Sequence, residues 1–308
     1  MKLRAAVVGV GYLGKFHAEK YASLPDVELV AVVDDQPNRA SAIAAKHRCE
    51  ALADHRELFG RIDCASLAVP TSLHFAITRD LLEHGIDVLV EKPMTQSVEE
   101  GRALVALAED DGRILQVGHL ERFNPAIRAV AGVIDQPRFI ECHRLAPFVE
   151  RGTDVDVILD LMIHDLDVIL SLVASEIDRV EAVGVPVLSS NTDIANARLY
   201  FRNGCIANIT ASRVTLKQER KLRLFQSDTY VSVDYGKKHV QICRRVTEEG
   251  LPSIKVEEHD LGGDALFDEI EHFIAAVRSR EQPLVDGRAA LRALETAELI
   301  RAALAAGD

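Results

Sequence analysis

Short apolar runs and longer amphipathic segments alternate along the first 118 residues. The short runs are rich in Val and end in a polar or turn residue, which is typical of strands buried on both faces of a sheet. The longer segments repeat apolar residues every three or four positions, as amphipathic helices do. This alternation predicts an α/β fold with a doubly wound parallel sheet. The predicted strands are LRAAVVGV, VELVAVVD, CASLAVP, DVLVEKP and ILQVGH, and the predicted helices cover 14–24, 37–47, 72–84 and 97–110.

The pattern changes after His119. The segment 155–173 is apolar around most of its circumference and predicts a helix, and the runs that follow it alternate apolar and polar residues with many β-branched side chains. Asn203–Gly204 separates two such runs, as expected for a hairpin turn. These features predict a second domain of α+β type with a mostly antiparallel open sheet. Two amphipathic helices are expected at 264–280 and 287–306.

Among the polar residues of the apolar helix at 155–173, we single out Asp160, His164 and Asp167. At about 100° per residue they fall within one narrow stripe. A surface helix normally shows a broad polar face, so a thin polar stripe on an apolar helix predicts a neighbouring cleft. The alternative interpretation is a partly exposed helix with an ordinary histidine.

The net charge of the chain excludes some classes of binding partner. The net charge of −12 argues against binding to nucleic acid or to an anionic membrane, because both require a basic surface. The segment 213–245 is locally basic, with nine Lys or Arg against three Asp or Glu. It is either the solvated edge of a sheet, which we favour, or an anion site. No apolar run reaches the roughly 18 to 20 residues that span a bilayer.

The five cysteines show neither CxxC spacing nor the Cys/His clustering of a zinc site. We interpret them as small buried thiols in a reducing compartment. The sequence therefore predicts no metal site and a cytoplasmic protein.

A glycine-rich GxGxxG turn follows the first predicted strand and opens a helix. The first glycine permits a tight turn, the second lets the backbone approach a pyrophosphate, and the third allows close contact between helix and strand. The start of the helix favours the anion. This context predicts dinucleotide binding by the turn Gly9, Val10, Gly11, Tyr12, Leu13 and Gly14.

Asp34 ends the next predicted strand, 20 residues beyond Gly14, where it can accept hydrogen bonds from an adenosine ribose. Asp35 adds a second negative charge at the position that a 2′-phosphate would occupy. Both residues favour NAD over NADP. Arg39 is a possible phosphate contact one helical turn later, although such an arginine is more often solvated.

Glu91, Lys92 and Pro93 close a predicted strand, at the edge where open α/β sheets bind ligands. A lysine there can hydrogen-bond a substrate oxygen and stabilise negative charge that develops on it. The alternative is an ordinary surface lysine at the end of a strand.

These motifs together resemble the Gfo/Idh/MocA family of nicotinamide-dependent sugar and polyol oxidoreductases. The resemblance covers nearly the whole chain. It is carried by GxGxxG with His17, by VPTSLH at 69–74, by EKP at 91–93 and by DxxxH at 160–164. Two further segments, GHLERFNPA at 118–126 and HRLAPF…DVDVILDLMIHDLD at 143–167, are most similar to the branch that acts on UDP-N-acetylglucosamine.

The family resemblance implies a division of the chain and a partner. It implies a Rossmann domain, a substrate domain whose open sheet often forms oligomer contacts, and a cofactor between the two. A homo-oligomer, either a dimer or a tetramer, is therefore expected. We divide the chain into a dinucleotide-binding domain at 1–119, a substrate and oligomerisation domain at 120–285, and a C-terminal helix at 286–308 that packs back on the first domain.

The resemblance also implies roles for individual residues. Lys92, Asp160 and His164 correspond to the catalytic set. Oxidation of a secondary alcohol moves a hydride to the nicotinamide and removes a proton from the hydroxyl, so a base must contact that oxygen. His164 suits this role, Asp160 shares the substrate hydroxyls or polarises the imidazole, and Lys92 stabilises the alkoxide. Cofactor contacts are expected from Pro70, Thr71, His74 and Glu91.

Four further residues are candidate substrate contacts. Arg122 and Asn124 either hold substrate hydroxyls or phosphate or cap a helix. Arg144 and Arg213 are candidate partners of a diphosphate, because a fork of donors suits phosphate oxygens.

The leading functional hypothesis is an NAD-dependent dehydrogenase acting on the 3-hydroxyl of a UDP-N-acetyl amino sugar. The same chemistry on a free sugar, an inositol or another polyol is the alternative enzymatic hypothesis. A dinucleotide-sensing regulator without turnover is a third, which the intact set Lys92, Asp160 and His164 argues against.

Overall fold

Six strands form the first sheet of the chain, whose computed structural model describes residues 2–148, 155–248 and 251–307. The strands are β1 (Leu3–Val8), β2 (Val27–Val33), β3 (Glu50–Leu52), β4 (Cys64–Leu67), β5 (Asp87–Glu91) and β6 (Leu115–Gly118). All neighbours are parallel, in the order β3-β2-β1-β4-β5-β6. This is the strand order of the doubly wound dinucleotide-binding fold, so the predicted fold class of the first domain is confirmed.

Four helices connect these strands: α1 (Gly14–Ser23), α2 (Pro37–His47), α3 (His74–Glu83) and α4 (Val98–Asp110). Short 3-10 turns lie at His55–Leu58 and Thr71–Leu73. The strands β4 and β1 are buried almost throughout, which explains why their sequences read as continuous apolar runs. Strand β3 was not predicted, because three residues are too few to show a period.

The second sheet has eight strands. Strand β7 precedes the segment that carries Asp160, and the others follow it. Their bounds are β7 (Phe139–Leu145), β8 (Ile177–Val185), β9 (Ile194–Phe201), β10 (Ile206–Ser212), β11 (Glu219–Gln226), β12 (Thr229–Asp234), β13 (His239–Glu248) and β14 (Leu251–Asp260). The order is β14-β13-β12-β11-β7-β10-β9-β8, and only the pair formed by β7 and β10 is parallel. The predicted mostly antiparallel sheet is confirmed.

A 3-10 turn at Leu120–Phe123 and helix α5 (Pro125–Ala131) precede this sheet. A π-helical turn (Ile158–Met162) runs directly into helix α6 (Ile163–Leu172). Helix α5 packs on β12 and β13, and the π turn and α6 pack on β10 and β7. Alternate residues of the strands are buried on that side and partly exposed on the other, so one face of the sheet is open.

The last two helices are α7 (Ala265–Ser279) and α8 (Gly287–Gly307). The chain forms two compact units, which we call unit 1 and unit 2. Unit 1 comprises Met1–Leu120 and Ala265–Leu291, and unit 2 comprises Glu121–Asp264 and Arg292–Asp308.

The first break, after Leu120, lies within one residue of the predicted boundary at 119, whereas the assignment of residues 265–308 differs from the predicted boundary at 285. Helix α7 belongs to unit 1, because Ile270 and Phe273 share a buried core with Tyr21 of α1. Helix α8 is divided after Leu291, so only its beginning belongs to unit 1, whereas we predicted that the whole helix joins the first domain. Apolar periodicity shows that a helix is buried but not against which partner.

All five cysteines are unpaired, and three of them are buried. In the part of the chain that the structure describes, no helix combines the length and the apolar character needed to cross a membrane. Within the same residues, no group of three or more His, Cys, Asp or Glu side chains is arranged to hold a metal ion.

Candidate active site

The turn after β1 has the backbone geometry that a pyrophosphate requires. Gly9 has a φ of +84°, and a side chain there would meet the backbone of Ala68. A Cβ atom at Gly14 would collide with the carbonyl oxygen of Gly9, so α1 can start this close to β1 only at a glycine. At Gly11 the nearest atom to an added Cβ is 3.8 Å away, on Arg39, which leaves the backbone accessible to a ligand.

Helix α1 begins at Gly14 without a side-chain cap, and its first turn has no acidic residue. Uncapped amides at the positive end of a helix dipole favour an anion. Tyr12, which is 68% exposed, and Leu13 lie in the same turn. The residues of this turn therefore fit the pyrophosphate of a dinucleotide.

Asp34 follows β2 and is 5% exposed. Its carboxylate accepts hydrogen bonds from the amides of Val10 and Gln36, both at 3.0 Å. Nη1 of Arg39 lies 3.3 Å from each carboxylate oxygen. Burial raises the pKa of Asp34, but the two amides and Arg39 outweigh burial and hold the pKa below its ordinary value. Asp34 is thus an ionised acceptor beside the glycine turn.

Lys92 follows β5, and its amide donates to Oε2 of Glu91 at 3.3 Å. Oε1 of Glu91 lies 3.1 Å from Nε2 of His17. Nδ1 of the same ring lies 3.1 Å from Oγ of Ser66, which is 2.8 Å from the hydroxyl of Tyr21. His17, Ser66 and Tyr21 are fully buried. This chain of hydrogen bonds fixes Glu91 and the backbone of Lys92 from the core of unit 1.

His74 begins α3 and is 1% exposed. Its Nδ1 lies 2.8 Å from the carbonyl oxygen of Pro93, and its Nε2 lies 3.0 Å from that of Val69. Burial lowers the pKa of His74, and a neutral ring donates to one of these carbonyls. The ring therefore joins the loops after β4 and β5 and faces protein backbone rather than the predicted cofactor. Pro70 and Thr71 form the start of the 3-10 turn between β4 and α3.

Asp160 lies in the π turn, and His164 lies in the first turn of α6. Asp156 caps this segment, because its Oδ1 accepts from the first two amides of the π turn, both at 3.0 Å. Asp160 and His164 remain partly exposed on a helix that is otherwise mostly buried. The prediction of a continuous α-helix is wrong for the five π-helical residues, and π turns often occur at functional sites.

Asp167, the third residue of the predicted stripe, is 2% exposed. Nη1 of Arg122 lies 3.5 Å from its Oδ1, and within the described residues no hydrogen bond reaches its Oδ2. Burial raises the pKa of Asp167 to about 7, although Arg122 acts in the opposite direction. Of the three stripe residues, only Asp160 and His164 are therefore accessible. Arg122, a predicted substrate contact, is paired with Asp167 inside unit 2.

For Asn124 the sequence left two roles open, a substrate contact and a helix cap, and the structure shows the helix cap. Its side-chain oxygen accepts from the amide of Ala126 at 3.1 Å and caps α5.

Arg213 is 4% exposed. Its Nε lies 2.8 Å from Oδ1 of Asp193, and Nη1 donates to the carbonyl oxygen of Val155 at 2.8 Å. Nη2 donates to the hydroxyl of Ser189 at 3.1 Å. These contacts fix the residues that lead into the π turn.

Arg144 is 4% exposed and forms a two-pronged ion pair with Asp165, at 2.7 and 2.8 Å. Burial alone would lower the pKa of Arg144, but Asp165 and Glu121 raise it well above its ordinary value. Arg144 and Arg213 are thus both buried and bound to carboxylates, a geometry that opposes their predicted role as diphosphate ligands. The sequence did not indicate these ion pairs, because each partner lies on a different element.

The catalytic residues predicted from the sequence are distributed over both units. Lys92 belongs to unit 1, and Asp160 and His164 belong to unit 2. The glycine turn and Asp34 also belong to unit 1.

Two family models match the chain. Residues 3–119 match the oxidoreductase family with an NAD-binding Rossmann fold, and residues 126–231 match the GFO/IDH/MocA C-terminal domain. UDP-N-acetylglucosamine 3-dehydrogenase of Acidithiobacillus ferrooxidans is 40% identical over 99% of this chain and 98% of its own. This protein belongs to the Gfo/Idh/MocA family. The family predicted from the motifs is therefore confirmed. The prediction of an NAD-binding oxidoreductase is confirmed as well.

Structural comparison gives the same result. A solved structure of the A. ferrooxidans enzyme matches with a TM-score of 0.93 and 39% identity, over 99% of each chain. A more distant relative by sequence, scyllo-inositol 2-dehydrogenase (NAD+) of Bacillus subtilis, is 29% identical over 92% of this chain and 89% of its own.

Proposed function

We propose that this Gfo/Idh/MocA protein oxidises the 3-hydroxyl of a UDP-N-acetyl amino sugar with NAD. The observation that carries the proposal is the pair Asp160 and His164, which stays partly exposed on a largely buried helix. The similarity to UDP-N-acetylglucosamine 3-dehydrogenase over nearly the whole chain supports this choice of substrate.

The proposed roles follow from the requirements of alcohol oxidation. A base must take the hydroxyl proton, and we assign this role to His164, because an imidazole exchanges protons near neutral pH. Asp160, four residues earlier, either binds neighbouring sugar hydroxyls or polarises the imidazole. Lys92 donates a hydrogen bond to the reacting oxygen and stabilises the negative charge that develops there.

NAD, when bound, accepts the hydride. We propose that the amides of the turn Gly9–Gly14 hold its pyrophosphate and that Asp34 accepts from the adenosine ribose. Pro70 and Thr71 are proposed to line the same edge of the sheet. Asp34 and Asp35 disfavour the 2′-phosphate of NADP by charge repulsion.

A second candidate is oxidation of an inositol or another free polyol by the same residues. Inositol dehydrogenases are relatives of this chain, and the binding of Arg144 and Arg213 to internal carboxylates favours an uncharged substrate. A regulator that only senses the dinucleotide is a weaker candidate, since it would not need Lys92, Asp160 and His164.

A substrate panel tests these alternatives. Purified protein is incubated with NAD or NADP and with UDP-N-acetylglucosamine, UDP-glucose, N-acetylglucosamine or myo-inositol, and the absorbance of reduced nicotinamide is followed. The proposal expects turnover with UDP-N-acetylglucosamine and NAD. Turnover with only the uncharged compounds would replace it by the second candidate. NAD binding without any turnover would favour the regulator.

We also propose a homo-oligomer, a dimer or a tetramer, formed through the open face of the eight-stranded sheet. Phe139, Phe225 and Tyr230 form an aromatic cluster there, with neighbouring ring centroids 5.6 and 4.9 Å apart. Val183 and Val185 of β8 are 62% and 49% exposed on the same face. Light scattering after size exclusion tests this proposal, and a monomer at micromolar concentration would contradict it.

A cytoplasmic location is proposed as well. The five unpaired thiols fit a reducing compartment. Fractionation of the source cells, with the protein detected by antibody, tests the location.

A further inference from the structure

Buried Arg144 and Asp165 and partly exposed Glu121 form a group of charges that we call the Arg144 cluster. Nε and Nη2 of Arg144 donate to the two carboxylate oxygens of Asp165 at 2.7 and 2.8 Å. Nη1 and Nη2 both lie 3.1 Å from Oε1 of Glu121. Arg144 and Asp165 are 4% and 1% exposed, so water contributes little to solvating either charge.

The Arg144 cluster connects several segments of unit 2. The side-chain amide of Asn124 donates to Oε2 of Glu121 at 3.1 Å and to the carbonyl oxygen of Tyr235 at 3.3 Å. The guanidinium of Arg144 lies 5.5 Å from the centre of the Tyr235 ring. The 3-10 turn, β7, α6 and the turn after β12 are thus joined at one point.

Stability alone does not explain why charges are buried here. The cost of removing two charges from water largely offsets their attraction, and apolar residues of similar volume are often as stabilising. Helix α6 already buries Ile163, Leu166 and Ile169 to 1% exposure or less. What a two-pronged ion pair adds is direction, because guanidinium and carboxylate align in one plane, whereas apolar contacts tolerate small rotations.

Asp165 directly follows His164 in α6. When Arg144 fixes the Asp165 carboxylate, it also fixes the rotation of the helix about its axis, and with it the direction in which His164 projects. Another ion pair of this helix, between Arg122 and Asp167, is longer at 3.5 Å, so the two-pronged pair of Asp165 is well placed to set that rotation.

We propose that the Arg144 cluster positions His164 for its reaction. Arg144 is then a positioning residue that acts through Asp165, and Glu121 holds the guanidinium in place. The proposal rests on the proposed role of His164 as the base. It also gives Arg144 a role different from the diphosphate contact expected from the sequence.

The test uses two variants and one matched control. A triple variant, Glu121→Gln/Arg144→Met/Asp165→Leu, removes all charges of the cluster together and leaves no buried charge unpaired. Arg144→Lys keeps the charge but loses the two-pronged geometry. The control is Arg4→Met, which breaks a two-pronged ion pair with Asp63 in unit 1, whose shorter contact is 2.7 Å.

Turnover of UDP-N-acetylglucosamine, its KM and the Kd of NAD are measured for each variant, with circular dichroism to confirm folding. We expect kcat of the triple variant to fall roughly tenfold to a hundredfold, the scale for a misplaced catalytic group, while KM and the Kd of NAD change less than about twofold. The kcat of Arg144→Lys should lie between those of the triple variant and the wild type, and the kcat of Arg4→Met should match the wild type.

A folded triple variant with unchanged kcat would overturn the proposal. So would an unchanged kcat with a raised, salt-dependent KM, because that result identifies Arg144 as a diphosphate ligand. If the triple variant does not fold, Arg144→Lys decides, and wild-type kcat in that variant overturns the proposal. Full turnover by His164→Ala is a separate result, because it removes the base assignment and the proposed function itself.

Discussion

Replacing Asp167 by Asn tests whether this carboxyl group is neutral in the folded protein. Asp167 is 2% exposed, and its partner Arg122 lies 3.5 Å from Oδ1, a long distance for an ion pair. Burial raises the pKa of Asp167 from its ordinary value of 3.8 to about 7. Asn has nearly the same size as a protonated Asp but carries no titratable proton.

The sign of the pH dependence follows from the two pKa values of Asp167. The unfolded chain releases the proton near pH 3.8, whereas the folded protein retains it up to about pH 7. The stability due to the protonated carboxyl is therefore fully present below the unfolded pKa of 3.8 and is lost as the pH rises through the folded pKa of about 7. The difference between the two pKa values corresponds to about 4 kcal/mol of unfolding free energy, of which about 2 to 3 kcal/mol is lost between about pH 5 and pH 8.

The assay is thermal unfolding of the wild type and of Asp167→Asn across this pH range. We expect the variant to gain stability relative to the wild type as the pH rises, at about 2 to 4 °C in Tm for each kcal/mol. Asp228→Asn is the control, because it makes the same substitution at a side chain that is 63% exposed instead of buried. A variant that is less stable than the wild type at pH 8 would refute the reasoning, because it would show an ionised Asp167 paired with Arg122.

Three further predictions concern the proposed site. Asp34→Ala should weaken NAD binding and reduce the preference for NAD over NADP, both measured by calorimetry. The reason is that Arg39, which lies 3.3 Å from Asp34 in the wild type, becomes able to contact a 2′-phosphate. Equal affinity of the wild type for NAD and NADP would contradict this prediction. His164→Ala and Lys92→Ala should lower kcat by about a hundredfold or more and leave the Kd of NAD nearly unchanged, and a reduced Tm with normal kcat would indicate a merely structural role. Gly14→Ala should abolish NAD binding in the same titration, because its Cβ would collide with the Gly9 carbonyl; retained binding would show that the turn can shift.

The hydrophobic pattern was sufficient to predict five of the six strands of the first sheet and its helices, because these strands are buried on both faces and the helices on one. The alternating burial of strand β7 is not evident in its sequence FIECHRL, because the charged Arg144 is buried whereas the apolar Phe139 and Leu145 are partly exposed. The location of α7 in unit 1 depends on contacts with residues more than 200 positions away, such as that of Phe273 with the core around Tyr21, and no local pattern contains this information.

In the candidate site, too, local sequence patterns do not reveal contacts between distant residues. The glycine turn, Lys92, Asp160 and His164 are candidates because each belongs to a motif whose spacing reflects its chemistry, and their functional roles stay predictions. The contacts of Arg144 and His17 could not be predicted, because their partners lie on other elements: Asp165 for Arg144, and Glu91 for His17. An arginine that binds phosphate and one that binds a buried carboxylate look alike in the sequence.

Isotope transfer tests the central claim most directly. UDP-N-acetylglucosamine deuterated at carbon 3 is incubated with the protein and NAD, and the reduced cofactor is isolated and analysed by mass spectrometry. The proposed function predicts that each reduced cofactor carries one deuterium and that the sugar product is a ketone at carbon 3. Reduced cofactor without deuterium, or no reduction while myo-inositol is oxidised, would contradict it.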